Sequence, residues 1–296
     1  MNEKLQNYIT YLNKTKRVSK NTLMAYQKDL NDYLNYLKSR SVSLSKVRKN
    51  TIYSYENVLE ADGKSNASIA RALASIRGFH RYLLETNAAR TNPAFGISTP
   101  KSKPLLPGFL TISEIEHLLN QPKCINYKGY RDKAILELLY ATGIRVSELV
   151  QLKYSDIDMF RKVITCNDRS IPFGAFSEDA LTKYLSVSPF HKESEIDDDT
   201  YLFVNTRGTQ LTRQGVWKII KKHHQSSAIR KDISPQILRN SFAAHLIQNG
   251  ADIKSVQEMM GHTALSSTLI YAEISRSHIQ NVYQESHPRA KIAKSD

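Results

Sequence analysis

Apolar residues recur at three- and four-residue intervals through most of the chain, and that spacing predicts helices before anything else. Leu5, Tyr8, Ile9 and Leu12 form one stripe, and Leu23, Tyr26, Leu30, Tyr33, Leu34 and Leu37 a longer one, preceded by Ser19 and Thr22 as candidate caps. Ile69, Leu73, Ile76, Phe79, His80 and Leu83 make a third, with Arg71, Arg77 and Arg81 between the apolar positions. Ile112 to Leu119 and Tyr130 to Tyr140 read as helices, and Thr212 to His224 as a basic helix carrying Arg213, Lys218, Lys221 and Lys222 beside Val216, Trp217 and Ile220. The pattern changes at Lys162-Val163-Ile164-Thr165 and Arg169-Ser170-Ile171-Pro172, which predict a hairpin about a short turn, and Tyr201 to Val204 predicts a short strand. Ser234-Pro235 is a strong helix start, and Gly250 a natural stop. A last helix, Ile253 to Met260, ends at Gly261.

Pro93, Pro100, Pro104 and Pro107 fall within fifteen residues, and proline removes a donor and fixes φ, so no helix crosses this stretch. The expected organisation is therefore a helical N-terminal domain over residues 1–100, a linker over 101–107, and an α-rich C-terminal domain over 108–296 with a small β-sheet. The fold class is mostly α.

Charge narrows the choice of partner. The net charge is +14, and residues 1–100 hold 16 basic side chains against 7 acidic ones, so the excess sits in the N-terminal third. Such an imbalance fits a polyanion, either nucleic acid or an anionic membrane surface. No stretch approaches the ~18 consecutive apolar residues of a membrane-spanning helix, and no signal peptide is expected, which favours nucleic acid. The acidic run Glu193 to Asp199 reads as a solvated loop. Cys124 and Cys166 form no CxxC pair, so neither a disulfide framework nor a cysteine zinc site is expected, and a reducing cytoplasm fits best.

The candidate chemistry lies in four places. They are Ala141-Thr142-Gly143-Ile144-Arg145-Val146-Ser147-Glu148-Leu149, then Leu238-Arg239-Asn240-Ser241-Phe242-Ala243, then Gly261-His262, then Tyr271 nine residues later. Each alone has an ordinary explanation: Arg145 can pair with Glu148 at i,i+3, and a tyrosine beside Leu269 and Ile270 is usually a core residue. In this order they resemble the Arg, Arg, His, Tyr signature of the tyrosine recombinase/phage integrase family, in particular its Xer-type members. Ser19-Lys20-Asn21-Thr22-Leu23, with Tyr26, Asp29 and Leu30, is similar to the start of that family's core-binding, SAM-like domain. Arg213-Gln214-Gly215-Val216-Trp217-Lys218 is similar to its DNA-contacting helix.

The resemblance implies a site-specific recombinase or integrase that cuts and rejoins double-stranded DNA through a 3′-phosphotyrosine. Arg145 and Arg239 would clamp the non-bridging oxygens of the phosphodiester, since guanidinium groups are fixed forks of charged donors. His262 would hydrogen-bond the phosphate, and Tyr271 would be the nucleophile. Arg213, Gln214, Lys218, Lys221, Arg71 and Arg77 would contact DNA. The reaction implied uses no metal and no cofactor, and strand exchange implies a homo- or hetero-tetramer on two duplexes.

The family's His-x-x-Arg is Gln236-Ile237-Leu238-Arg239 here, and an amide does not titrate near neutrality. Its hairpin lysine has no counterpart in Thr165-Cys166-Asn167-Asp168, Lys162 lies at the strand start, and Asn240 stands where a histidine is common. Gln236 is therefore a candidate site member in place of the family histidine. A second expectation follows, of a recombinase-derived protein that binds and bridges DNA sites without cutting. A helical transcription regulator would explain the charge but not the Arg–His–Tyr spacing.

Overall fold

The computed structural model describes residues 3–99, 108–191, 197, 199–261 and 271. The expected linker over 101–107, most of the acidic run, His262 and the chain after Tyr271 lie outside the described residues. The chain divides into two compact units, Met1–Leu105 and Leu106–Asp296.

The first unit is built from α1 (Glu3–Lys14), α2 (Lys20–Ser39), α3 (Lys49–Ala61) and α4 (Asn66–Glu85). Ser19 caps α2 by accepting the Thr22 backbone N–H at 3.3 Å, and Ser65 does the same for α4 from Ser68 at 3.3 Å. The apolar stripes meet in a core that holds Leu5, Leu30, Tyr33, Ile52, Ile76 and Phe79, all fully buried. Inside it the Tyr33 hydroxyl and His80 Nε2 are 3.1 Å apart, which gives two buried polar groups a shared partner.

The second unit contains α5 (Ile112–Leu119), α6 (Tyr127–Thr142), the single-turn α7 (Val146–Leu149) and strands β1 (Ile157–Asp158), β2 (Val163–Cys166) and β3 (Arg169–Pro172). Then follow α8 (Ala175–Val187), α9 (Arg213–Ser226), α10 (Pro235–Gln248) and α11 (Ile253–Met260). α6 is the central helix, burying Ala134, Ile135, Leu136, Leu138 and Leu139, and α5, α8, α9 and α10 all pack against it. Its Asp132 is buried with Arg131 at 2.8 Å and His223 of α9 at 3.0 Å. Burial would push that carboxyl up, but the bonds from His223 and Arg131 outweigh it and hold the carboxyl below its ordinary range. This pins the inner face of α9 and leaves its basic face outward.

The three strands form one antiparallel sheet in the order β1-β2-β3, with Ile164 opposite Ile171. The hairpin is tighter than the sequence suggests. β2 runs through Cys166, and the turn is Asn167-Asp168 alone, both left-handed at φ 47° and 61°, as a two-residue type I′ turn requires. Tyr201 to Val204 is not a strand. It makes single bridges, Lys153 with Tyr201 and Val204 with Gln210, because each neighbour offers one residue rather than a ladder. Its apolar character comes from burial of Leu202 and Phe203 in the core. α3, α7, α8 and β1 are additions to the elements expected, and Tyr130 to Tyr140 lengthens at both ends into α6.

Candidate phosphate-binding site

The site is organised around the end of α11. A helix leaves its last carbonyls without partners, and a left-handed Gly261 at φ 58° closes this one. Three arginines from three other elements take up the carbonyls there. Arg169 of β3 donates Nη1 to Met259 O, Arg239 of α10 donates Nη2 to Met260 O, and Arg145, the N-cap of α7, donates Nη2 to Gly261 O at 3.1 Å. A Cβ on residue 261 would stand 2.8 Å from the Arg169 guanidinium carbon, so glycine serves both the turn and the packing. Arg239 also donates Nη1 to the carbonyl of Gly143, the left-handed residue that ends α6. Arg145 and Arg239 are thus brought together from positions 94 apart in sequence.

Glu148 holds the group from below. Its carboxylate accepts the Arg145 backbone N–H at 2.7 Å, Arg145 Nη1 at 3.0 Å, Arg169 Nη2 at 2.6 Å and Asn167 Nδ2 at 3.3 Å. Burial works to raise this carboxyl, but the Arg145 backbone N–H and the charges of Arg169 and Arg145 prevail and hold it below the usual range. Arg239 is 3% exposed, and burial, with repulsion from Arg145 and Arg169, lowers its pKa to about 10 despite attraction from Glu148. It therefore stays charged at neutral pH. Three guanidinium groups against one carboxylate leave an excess of positive charge, suited to an anion.

Tyr271 is buried among Phe242, Ala243, Val256 and Met260. Its hydroxyl donates to Asn240 Oδ1 at 2.9 Å, and the Gln236 side chain donates Nε2 to the same oxygen at 2.9 Å. Asn240 in turn donates Nδ2 to the Gly108 carbonyl at 3.1 Å. Burial raises the pKa of Tyr271, and the positive charge of Arg239 opposes that rise. Of the expected site residues, Arg145, Arg239, Gln236 and Tyr271 lie in this one neighbourhood, while His262 lies outside the described residues.

On α9, Arg213, Gln214, Trp217, Lys218 and Lys221 are all exposed, with the Lys221 ammonium 5.1 Å from the centre of the Trp217 ring. Thr212 caps this helix through the Gly215 N–H at 3.0 Å. Arg71 grips the buried Asp29 of α2 with two bonds, 2.8 and 3.0 Å, and Arg77 donates to the Ile97 carbonyl at 2.8 Å, so both hold the first unit together. Lys162 pairs with Glu178 of α8 at 2.8 Å. Arg169 and Asn240 were not singled out as site residues by sequence reasoning. An arginine flanking a turn looks like any solvated strand residue, whereas Asn240, one position after Arg239, could have been found as the residue sharing a helical face with Gln236.

Paired guanidinium groups beside a buried tyrosine form a site whose charge and donors suit a phosphate group. Residues 108–278 match the phage integrase family, and residues 5–87 match the N-terminal SAM-like domain of phage integrases. The chain belongs to the phage integrase family. It is 38% identical over 293 residues to the tyrosine recombinase XerD of Oceanobacillus iheyensis, covering 97% of this chain and 98% of that one. Among solved structures it is similar to the XerA recombinase, with a TM-score of 0.54 and 25% identity over 97% of this chain and 99% of that one. It is also similar in fold to the XerH site-specific recombinase bound to a palindromic difH substrate, with a TM-score of 0.74 and 20% identity over 95% of this chain and 84% of that one. Among the described residues no helix is long and apolar enough to cross a membrane.

Proposed function

We propose that this protein is a site-specific DNA recombinase that breaks and rejoins strands through a 3′-phosphotyrosine. The convergence of Arg145, Arg239 and Tyr271 on the end of α11 carries the reading. The Tyr271 oxygen attacks the scissile phosphorus, gives up its proton and forms the tyrosine–phosphate bond, while the bond to the 5′-oxygen breaks and that oxygen takes up a proton. Arg145 and Arg239 neutralise the charge that accumulates on the non-bridging oxygens, and His262 adds a hydrogen bond. The 5′-hydroxyl of a partner strand then attacks the phosphotyrosine, restoring a phosphodiester and returning the proton to Tyr271.

In this reading residues 1–100 form the core-binding domain, residues 108–296 the catalytic domain, and the exposed face of α9, with Arg213, Gln214, Lys218 and Lys221, lies along the duplex. Arg71 and Arg77 contact DNA with the donors their internal bonds leave over. Four protomers act on two duplexes, because each exchange joins two cut sites.

Gln236 and the lysine-free Asn167-Asp168 turn favour a second reading, a protein that bridges DNA sites without cutting. A nicked suicide site, from which the released strand end diffuses away, separates the two. The recombinase traps a covalent adduct that Tyr271→Phe abolishes without weakening DNA binding. Wild-type protein that binds the site and never forms an adduct is the bridging protein.

A further inference from the structure

The two amides that depart from the family pattern are bonded to each other and to the nucleophile. Asn240 is 4% exposed and, among the described residues, has three polar neighbours, the Gly108 carbonyl, the Gln236 side chain and the Tyr271 hydroxyl. A backbone carbonyl can only accept, so Nδ2 of Asn240 must face Gly108 and Oδ1 must face the other two. Gln236 must then present its NH2, and Tyr271 must donate its proton. This orientation fixes the torsion of the hydroxyl: the hydrogen points at Asn240 and the oxygen lone pairs point away from it. Asn240 and Gln236 lie four apart on α10, so one helix face carries the whole arrangement, with Arg239 beside it.

We propose that Asn240 is the positioning residue for the nucleophile, docking the protonated Tyr271 hydroxyl with its side-chain carbonyl, and that Gln236 braces Asn240 rather than replacing a proton donor. This rests on the recombinase reading above. An amide oxygen accepts a hydrogen bond but takes no proton near neutrality. Asn240 therefore holds Tyr271 in place without activating it, and the tyrosine proton, given up as the bond to phosphorus forms, ends on the departing 5′-oxygen. Among the described residues the charge that acts on the hydroxyl is that of Arg239 of α10, itself coupled to Arg145, Arg169 and Glu148; the arginines carry no free base, and the Glu148 carboxylate is taken up by Arg145, Arg169 and Asn167.

Comparing Asn240→Leu with Asn240→Asp isolates the contact. Both lose the donor to Gly108, but only the aspartate keeps an oxygen for Tyr271. Single-turnover cleavage of a nicked site should fall about 10–100-fold in Asn240→Leu, since small misplacements of a reacting group cost that much. DNA affinity should hold, and Asn240→Asp should recover most of the rate. Gln236→Met, at an exposed position that does not endanger folding, should lower the rate in the same direction by a smaller factor. The docking is read independently by NMR of protein labelled at the tyrosine Cζ carbons, with the Tyr271 signal assigned as the one missing in Tyr271→Phe. That signal should move in Asn240→Leu and less in Asn240→Asp.

Wild-type protein that forms no adduct overturns the recombinase reading, and the NMR comparison then still decides whether Asn240 docks the tyrosine. An unchanged cleavage rate in Asn240→Leu, or equal effects of the two substitutions on both rate and signal, overturns the positioning role.

Discussion

Replacing Glu148 by glutamine tests the electrostatic foundation of the site. The substitution keeps the shape and one carbonyl oxygen but removes the charge that Arg145 and Arg169 share at 3.0 and 2.6 Å. Removing one member of a buried ion pair typically costs ~3–5 kcal/mol, because the partner charge is left unmatched. Here the Arg145 side chain is 43% exposed and so partly solvated, while that of Arg169 is only 14% exposed. With one acceptor retained, a loss of ~2–3 kcal/mol at pH 7 follows. For a cooperative unit of this size that lowers the melting temperature by about 5–10 °C.

The pH dependence has a definite sign. The folded pKa of Glu148 lies below the ordinary carboxyl value, so its contribution is complete above about pH 5 and fades as pH falls through the depressed value. Thermal unfolding followed by circular dichroism from pH 7 to pH 3 should show wild type and Glu148→Gln drawing together as the acid is titrated. A double-mutant cycle with Arg169→Met should return a coupling of about 1–2 kcal/mol. A difference under about 0.5 kcal/mol at pH 7, a range ordinary surface substitutions occupy, would refute the argument that this carboxylate holds the arginines.

Three further outcomes are expected. Gln236→His introduces an imidazole next to Asn240 and should give single-turnover cleavage a new pH dependence near ~6–7, where histidine titrates; an unchanged profile would place residue 236 out of contact with the reaction. Alanine at Arg213, Lys218 and Lys221 together should leave folding unchanged and reduce the slope of log affinity against log salt by ~2–3, as measured by fluorescence anisotropy on a duplex site. Gly143→Ala should cost about 2–4 kcal/mol in urea unfolding, because φ is 59° and the added Cβ would overlap the Phe242 ring.

Much of this molecule is written in short stretches of sequence. Ser19, Thr111, Ser234 and Asp252 each cap a helix through the backbone N–H three residues on, and Gly250 and Gly261 end theirs in left-handed conformation. Those are local interactions, complete within one turn of chain, so composition and spacing reveal them. The order Arg145, Arg239, Tyr271 could be picked out of the sequence as well, because it resembles a family motif. Apart from the Arg145–Glu148 pair at i,i+3, the partners of those residues were not legible. Glu148 meets Arg169 across the β2–β3 hairpin, Asn240 meets Gly108 from 132 positions away, and the arginines meet α11 through carbonyls that any residue could supply. Periodicity says which face of a helix is buried, not what it is buried against. The tight Asn167-Asp168 turn aims Arg169 inward, the packing of α10 on α6 sets Arg239 beside Gly143, and only that tertiary arrangement turns three ordinary arginines and two amides into one site.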